Sequence, residues 1–223
     1  MTRLNISHRI DITVKNMIIG HGKGWSFTAH DFVDLGSQEA VWKSLQRLCL
    51  KGTIRRLAQG IYNYPRVHPK IGFVFPGVDS IARAIARKYS IRIQPSGAYA
   101  ANVLHLSEQV PARVVYLTEG QTKKIRVSNT TIIFKRTTPK NMTLAESEMG
   151  LIIQALKYFG RKNITPEMIS FLKPQLIKMD SKTVKVAMKV APVWMTKLFK
   201  QMRGEKGPDQ NTGQSVSKKS AAM

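Results

Sequence analysis

The chain has 223 residues, 43% of them hydrophobic, enough for a real core in one large domain or two small ones. Its 36 lysines and arginines against 13 carboxylates leave a net charge of +23, which points to polyanionic partners, nucleic acid first among them. The single cysteine, Cys49, excludes an internal disulfide framework, no apolar run approaches the roughly 18 residues of a membrane span, and "MTRLNISHRID" has no apolar leader segment, so a soluble cytoplasmic protein is expected.

Residues 6–19 read as a helix, with Ile6, Ile10, Val14, Met17 and Ile18 recurring on one face, and "GHGKGW" breaks it. Thr28 to Asp31 has the form of a capping box and opens a second short helix, which Gly36 ends. Ser37 is the expected N-cap of a third helix running to about Leu50. Val41, Leu45 and Leu48 form its apolar stripe, Trp42 and Cys49 flank it, and Glu39, Lys43, Gln46 and Arg47 fall on the other side. Next comes "KGTIRRLAQGIYNYP". "TIRRL" and "IYNY" are β-prone runs separated by Ala58-Gln59-Gly60, a hairpin signal in which Gly60 takes positive φ. Helix, helix-turn-helix and hairpin in this order predict a winged helix-turn-helix over residues 1–65. Lys43, Gln46 and Arg47 are then the candidates for base edges or adjacent phosphates, and Arg55, Arg56 and Gln59 for the DNA backbone. Of Tyr62 and Tyr64, one is expected to pack beneath the wing.

Residues 66–76, with Pro69 and Pro76, read as a linker or extended crossing. A basic α+β domain over 66–202 is expected to follow. It starts with a helix at Val78–Tyr89, then the strand "IRIQP", a small-residue helix at Gly97–Leu106, and three strands, "RVVYLT", "KKIRV" and "TTIIFKR". Thr143 to Glu146 is a second capping signature before a helix ending at Phe159, and Thr165-Pro166 opens another. Pro174 and Pro192 punctuate two more helices at the C-terminal end. Residues 203–223 are almost without apolar side chains and read as a disordered tail.

Chemistry-bearing constellations are scarce. "GHGKG" lacks the spacing of a phosphate loop and reads as a turn. The five histidines and lone cysteine give no zinc spacing, "PSG" at Ser96 is no nucleophile elbow, and the carboxylates form no acid–base pair. Neither enzyme activity nor a cofactor or metal is expected. The excess charge is spread along the chain, with net +5, +10 and +8 over residues 1–65, 66–140 and 141–223. Lys182, Lys185 and Lys189 share one helix face, suited either to nucleic acid or an acidic partner or to solvent.

"LQRLCLKGTIRRLAQGIYNYP" resembles the helix-to-wing segment of AbiEi-type antitoxins and their DUF6088-like relatives. "IARKYSIRIQPSGAYAANVLHLSEQVPARVVYLTEG" is similar to the segment that follows in that family, with its Pro-Ser-Gly turn, small-residue helix and Tyr-Leu-Thr strand. The resemblance covers about residues 5–140. It implies an antitoxin of a type IV toxin–antitoxin, abortive-infection pair. Such a protein represses its operon at promoter inverted repeats and neutralises a nucleotidyltransferase-like toxin without needing a stable complex. Two other readings stay open: a stand-alone winged-helix transcription regulator, and a basic interaction protein of a nucleic-acid-containing assembly.

Overall fold

The structure, a computed structural model, describes residues 3–204. It is a mixed α+β chain whose two compact units divide between Lys162 and Asn163.

The first unit opens with helix α1 (Arg3–His21), the short strand β1 (Ser26–Phe27), a 3-10 helix η1 (Ala29–Leu35) and helix α2 (Gln38–Leu50). Each begins where local chemistry says it should. Asp31 accepts the Thr28 backbone N–H at 2.8 Å, closing the capping box of η1. The Ser37 hydroxyl accepts the Ala40 N–H at 3.3 Å, capping α2. Ile10, Val14 and Ile18 of α1 meet Val41, Leu45 and Leu48 of α2, with Phe27, Phe32, Ile54 and Tyr62 completing one core. At about 1.5–3 kcal/mol for each large apolar side chain buried, this core is what holds α2 in place.

The hairpin β2 (Arg55–Ala58) and β3 (Ile61–Asn63) follows α2 directly. Its turn is tighter than expected: Ala58 belongs to the strand and pairs with Ile61, leaving Gln59 and Gly60 (φ +72°) as the turn, with a bulge between Arg56 and Ala58. β1 adds to the other side of β3, giving the order β1-β3-β2. Successive side chains of β3 part ways: Tyr62 enters the helical core and Ile61 a second core.

That second core lies under helix α3 (Val78–Lys88) and a four-stranded sheet made of β6 (Ile93–Ser96), β7 (Arg113–Thr118), β8 (Lys123–Val127) and β9 (Thr130–Arg136). The sheet order is β6-β7-β9-β8, with β7 and β9 parallel and the other neighbours antiparallel. Ile81 and Ile85 of α3 pack on Tyr116 and Phe134. The Tyr116 hydroxyl donates to Asp79 at 3.1 Å, and its burial pushes its ionisation far up. Helix α4 (Gly97–Val103), the short α5 (Pro139–Met142) and α6 (Glu148–Phe159) complete the unit.

Residues 66–76 are not a linker. They hold a second hairpin, β4 (Arg66–His68) with β5 (Gly72–Val74), in which Gly72 turns at φ +72°. The helix at Gly97 ends at Val103 rather than Leu106. The helix ending at Phe159 is capped by Ser147, whose hydroxyl accepts from Gly150 at 3.0 Å, and not by Thr143, whose hydroxyl bonds back to Pro139 in α5. Gly150 is required there, because a Cβ would lie 2.0 Å from the Leu144 carbonyl oxygen.

The second unit holds α7 (Pro166–Lys178), α8 (Ser181–Val190) and α9 (Val193–Arg203). Pro174 lies inside α7 instead of ending it. It faces solvent, where water can satisfy the Ser170 carbonyl left without its helical partner. Leu172, Leu176, Val184, Ala187, Met195 and Phe199 are buried, and the Arg203 guanidinium donates to the carbonyls of Leu176 and Met179 near the end of α7. Of the predicted tail, Arg203 ends α9 and Gly204 caps it; residues 205–223 lie outside the described residues.

Arg87 of α3 donates to the Asp31 carboxylate at 2.5 Å and to the Ser26 carbonyl at 2.9 Å, and it lies over the Trp25 ring. Because the Asp31 side chain is only 7% exposed, Arg87→Ala is expected to cost about 2–3 kcal/mol in urea unfolding. Arg83→Ala, which removes an exposed pair with Asp79 one turn away, should cost less than about 0.5 kcal/mol.

Candidate nucleic-acid interface

The α2 stripe that fills the core leaves Trp42, Lys43, Gln46 and Leu50 facing out. Lys43 is ion-paired with Glu39 at 2.6 Å, one helical turn away and well exposed. Such a pair is weak and easily exchanged for a phosphate. Gln46 is exposed and free to present both halves of its amide.

Arg47 is placed differently from the other polar residues of α2. Its Nε and Nη2 donate to the two oxygens of Asp11 on α1, at 2.8 and 2.6 Å. This fork-to-carboxylate contact spans 36 positions of sequence and locks α1 onto α2. Burial pushes the Asp11 carboxyl up, but the hydrogen bond and charge of Arg47 outweigh it and hold the group below the usual aspartate range. Asp11 in turn raises Arg47. The sequence wheel placed Arg47 on the correct side of the helix; it carried no signal that α1 would present a carboxylate there.

On the hairpin, Arg55 and Arg56 are both exposed and point to opposite sides of β2. Arg56 lies towards the end of α2, where its charge acts on Cys49 and Tyr62. Burial outweighs that charge and pushes the Cys49 thiol up, so it is protonated and unreactive near neutral pH. Arg55 lies over the Phe73 ring of β5, 4.4 Å from its centroid. Gln59 is exposed at the turn. The turn does not project freely: Leu57 and Ala58 pack against the sheet core, and the Lys88 ammonium approaches Gly60. Tyr62 is buried, stacked on Phe27, as expected of one of the two tyrosines.

The residues that sequence reading missed lie on the β4–β5 hairpin. Val67, Ile71, Phe73 and Phe75 are all at least half exposed beside Arg66 and Lys70. "RVH" and "GFV" around a glycine-containing turn are a hairpin signal, obscured by the two prolines. The surface from α2 across β2 to β5 is thus cationic and aromatic, rimmed by apolar side chains, and the carboxylates at α2, Glu39 and the part-exposed Asp11, are both paired.

The span from α2 through the four-stranded sheet is where comparison with known proteins is informative. A family model matches residues 13–184. The chain belongs to the DUF6088 family. That family is described as one of unknown function. The match takes in both hairpins and the whole four-stranded sheet, so the cationic surface and the sheet beside it are parts of the DUF6088 region of this chain. No curated protein matches the chain. Among the described residues no group of three histidine, cysteine or carboxylate side chains is placed to hold a metal ion, and no helix is long and apolar enough to cross a membrane.

The Asp11–Arg47 pair predicts a pH dependence. The folded-state pKa of Asp11 lies below its unfolded value of about 3.9. The pair therefore contributes fully above that pH, and its contribution is lost as pH falls through the folded value. Asp11→Asn should cost about 1 kcal/mol at pH 6, and its unfolding free energy should converge with that of the parent chain as pH falls to about 3. A gap that stays constant with pH would assign the contact to packing alone.

Proposed function

We propose that this chain binds double-stranded DNA through a winged helix-turn-helix formed by its first 65 residues and represses its own promoter. The observation that carries this reading is the connectivity: helix, strand, helix, helix and hairpin, with the early strand β1 paired to the far strand of the hairpin. This order supports a winged-helix reading, in which the second helix of the helix-turn-helix enters the major groove and the hairpin meets the backbone beside it. In that role α2 presents Lys43 and Gln46 to base edges, Arg55 and Arg56 neutralise phosphates, and Arg47 positions α2 through Asp11. Gln59 reaches the backbone only where the duplex bends towards the packed turn. Apolar and aromatic side chains of the β4–β5 hairpin lie where they would extend the contact beyond α2.

The resemblance of residues 5–140 to AbiEi-type antitoxins supports the wider reading: a cytoplasmic antitoxin of a type IV pair that neutralises a nucleotidyltransferase-like toxin, functionally if not by stable complex. No catalytic step is assigned to this chain. The spread of charge beyond the winged helix, net +10 over residues 66–140, favours one second reading, a basic protein that docks nucleic-acid-containing assemblies without reading sequence.

Binding of the purified chain to its own upstream DNA, against scrambled DNA across a salt series, separates these. A preference of about a thousandfold or more is expected for a specific repressor. Equal binding with a steep salt slope is the behaviour of the second reading. Gln46→Ala should relax discrimination at one base position by about 1–3 kcal/mol and leave scrambled DNA unaffected. Arg55→Ala and Arg56→Ala should weaken all sequences alike and lower the salt slope by about 1 each. Arg47→Ala should lose affinity only in step with lost stability; selective loss of discrimination in a fully folded Arg47→Ala chain would make it a base-reading residue after all. Rescue of growth on co-expression with a nucleotidyltransferase-like toxin tests the antitoxin half.

A further inference from the structure

A second cationic feature lies away from α2. On the face of the sheet opposite Tyr116 and Phe134, a cavity of about 370 Å³ opens between the ends of β7 and β9 and helices α5 and α6. Lys135 and Lys157 line it, with Asn141, Gln154 and Tyr158, and no carboxylate does; the side chain of Arg136, next along β9, belongs to the Phe134 face. Among the described residues neither lysine has an ion-pair partner, although acids are paired elsewhere in the same unit.

The polar groups around them are fixed. Asn141 donates to the Thr137 hydroxyl at 2.8 Å and accepts from the Lys157 ammonium at 3.0 Å, so the ammonium is held with donors to spare. Lys157 is partly buried, and that burial, followed by the charge of Lys140, pulls its pKa down. An ammonium that is partly desolvated beside other cations is held at a cost which a bound anion would offset. Gln154 is only 5% exposed. Its side-chain oxygen accepts from the Ser96 hydroxyl at 3.4 Å, and its amide nitrogen has no hydrogen-bond partner among the described residues. That donor is not a buried orphan: it opens onto the cavity, where water or a ligand can meet it. The Tyr158 ring stands half exposed beside these groups.

We propose that this cavity is a binding site for a phosphorylated small molecule of nucleotide size. Lys135 and Lys157 hold its phosphate, Gln154 and Asn141 meet its polar edge, and Tyr158 lies against its flat part. The volume falls at the lower end of the range for small-molecule pockets, about 300–1,000 Å³. Two ammonium groups, one of them anchored by Asn141, are donors suited to a phosphate. The site is independent of the DNA reading and stands or falls separately from it.

Titration calorimetry of the full chain with AMP, ribose 5-phosphate, inorganic phosphate, sulfate and adenosine, at one fixed ionic strength, tests this. One saturable site for AMP is expected, with weaker binding of ribose 5-phosphate and of phosphate, and none of adenosine. Lys157→Met and Lys135→Met should each weaken AMP at least about tenfold, while Lys124→Met, an exposed lysine on β8 outside the cavity, should leave it unchanged. Gln154→Leu, which keeps the buried volume, gives a second variant should Lys157→Met fail to fold. Ribose 5-phosphate equal to AMP keeps the phosphate site and removes the role of Tyr158. Sulfate equal to AMP, AMP binding indifferent to the cavity variants, no saturable heat with any phosphate, or binding of a 5′-phosphorylated oligonucleotide alone would each overturn the proposal.

Discussion

The three residues of β3 are buried throughout, and the first unit depends on that burial. Ile61 belongs to the sheet core, Tyr62 to the helical core, and Asn63, 1% exposed, donates its side-chain amide to the Trp25 carbonyl at 2.9 Å. A hairpin strand at the edge of a small helical unit ordinarily has one face to the core and one to water. Here the second face is taken by α3 and the sheet. Arg87 joins the same two parts through Asp31 and Ser26, and the Ser80 hydroxyl accepts from the Ser26 N–H and donates to the Gly24 carbonyl. The helices of residues 3–50 and the four-stranded sheet are therefore one packed body. The tip of the β2–β3 hairpin leans on it instead of reaching outward, and the hairpin that does stand exposed is β4–β5.

The scarcity of carboxylates gives each one weight. Asp11 ties α1 to α2, Asp31 ties η1 to α3, Asp79 joins Arg83 and the buried Tyr116 hydroxyl, and Glu119 pairs with Arg92. The partners in these joints are all arginines, whose forked donors suit a fixed carboxylate, whereas most lysines are left exposed. These four of the 13 carboxylates are spent inside the first unit, where they join its parts. The positive charge that remains is concentrated on outer faces and in the cavity beside α6. Net charge alone shows neither arrangement, since +23 is the same number wherever the acids sit.

What was legible in the sequence was periodicity. The α1 and α2 stripes fill the core as their spacing requires, and β7, β8 and β9 begin and end where alternating runs meet Gly120 and Ser128-Asn129. Partnership was not legible. That β7 and β9 lie side by side and parallel, with β8 at the edge, depends on contacts between distant residues. So does the capture of Arg47 by Asp11. The second hairpin was hidden because Pro69 and Pro76 suggest a broken chain, yet one sits in its turn and the other beyond its last strand, where no ladder hydrogen bond is needed. The second capping signature misled because Thr143 ends one helix while Ser147, four residues on, starts the next. The cavity cations were out of reach for the same reason as the strand order: Lys135 and Lys157 lie on different elements and meet only through the fold.

The two cationic features differ in a way that matters for how such a basic protein discriminates among anions. The α2–β2 surface is open, its side chains are mostly exposed, and each contact there exchanges with counterions in water. Affinity on such a surface comes from many weak phosphate contacts and falls steeply with salt, so selectivity has to come from the few side chains that reach base edges. The cavity beside α6 has the opposite character. Its polar groups are held in place: Lys157 is anchored by Asn141, and the nearly buried Gln154 presents its amide to the cavity. Donors fixed in one geometry suit a single phosphate in one place better than a diffuse array of surface cations does. A chain of net +23 attracts every polyanion. Under the two proposals the residues that would let it choose are the uncharged ones, Gln46 on the helix and Gln154 in the cavity, because an amide left unpaired penalises the wrong ligand where a lysine would merely accept it.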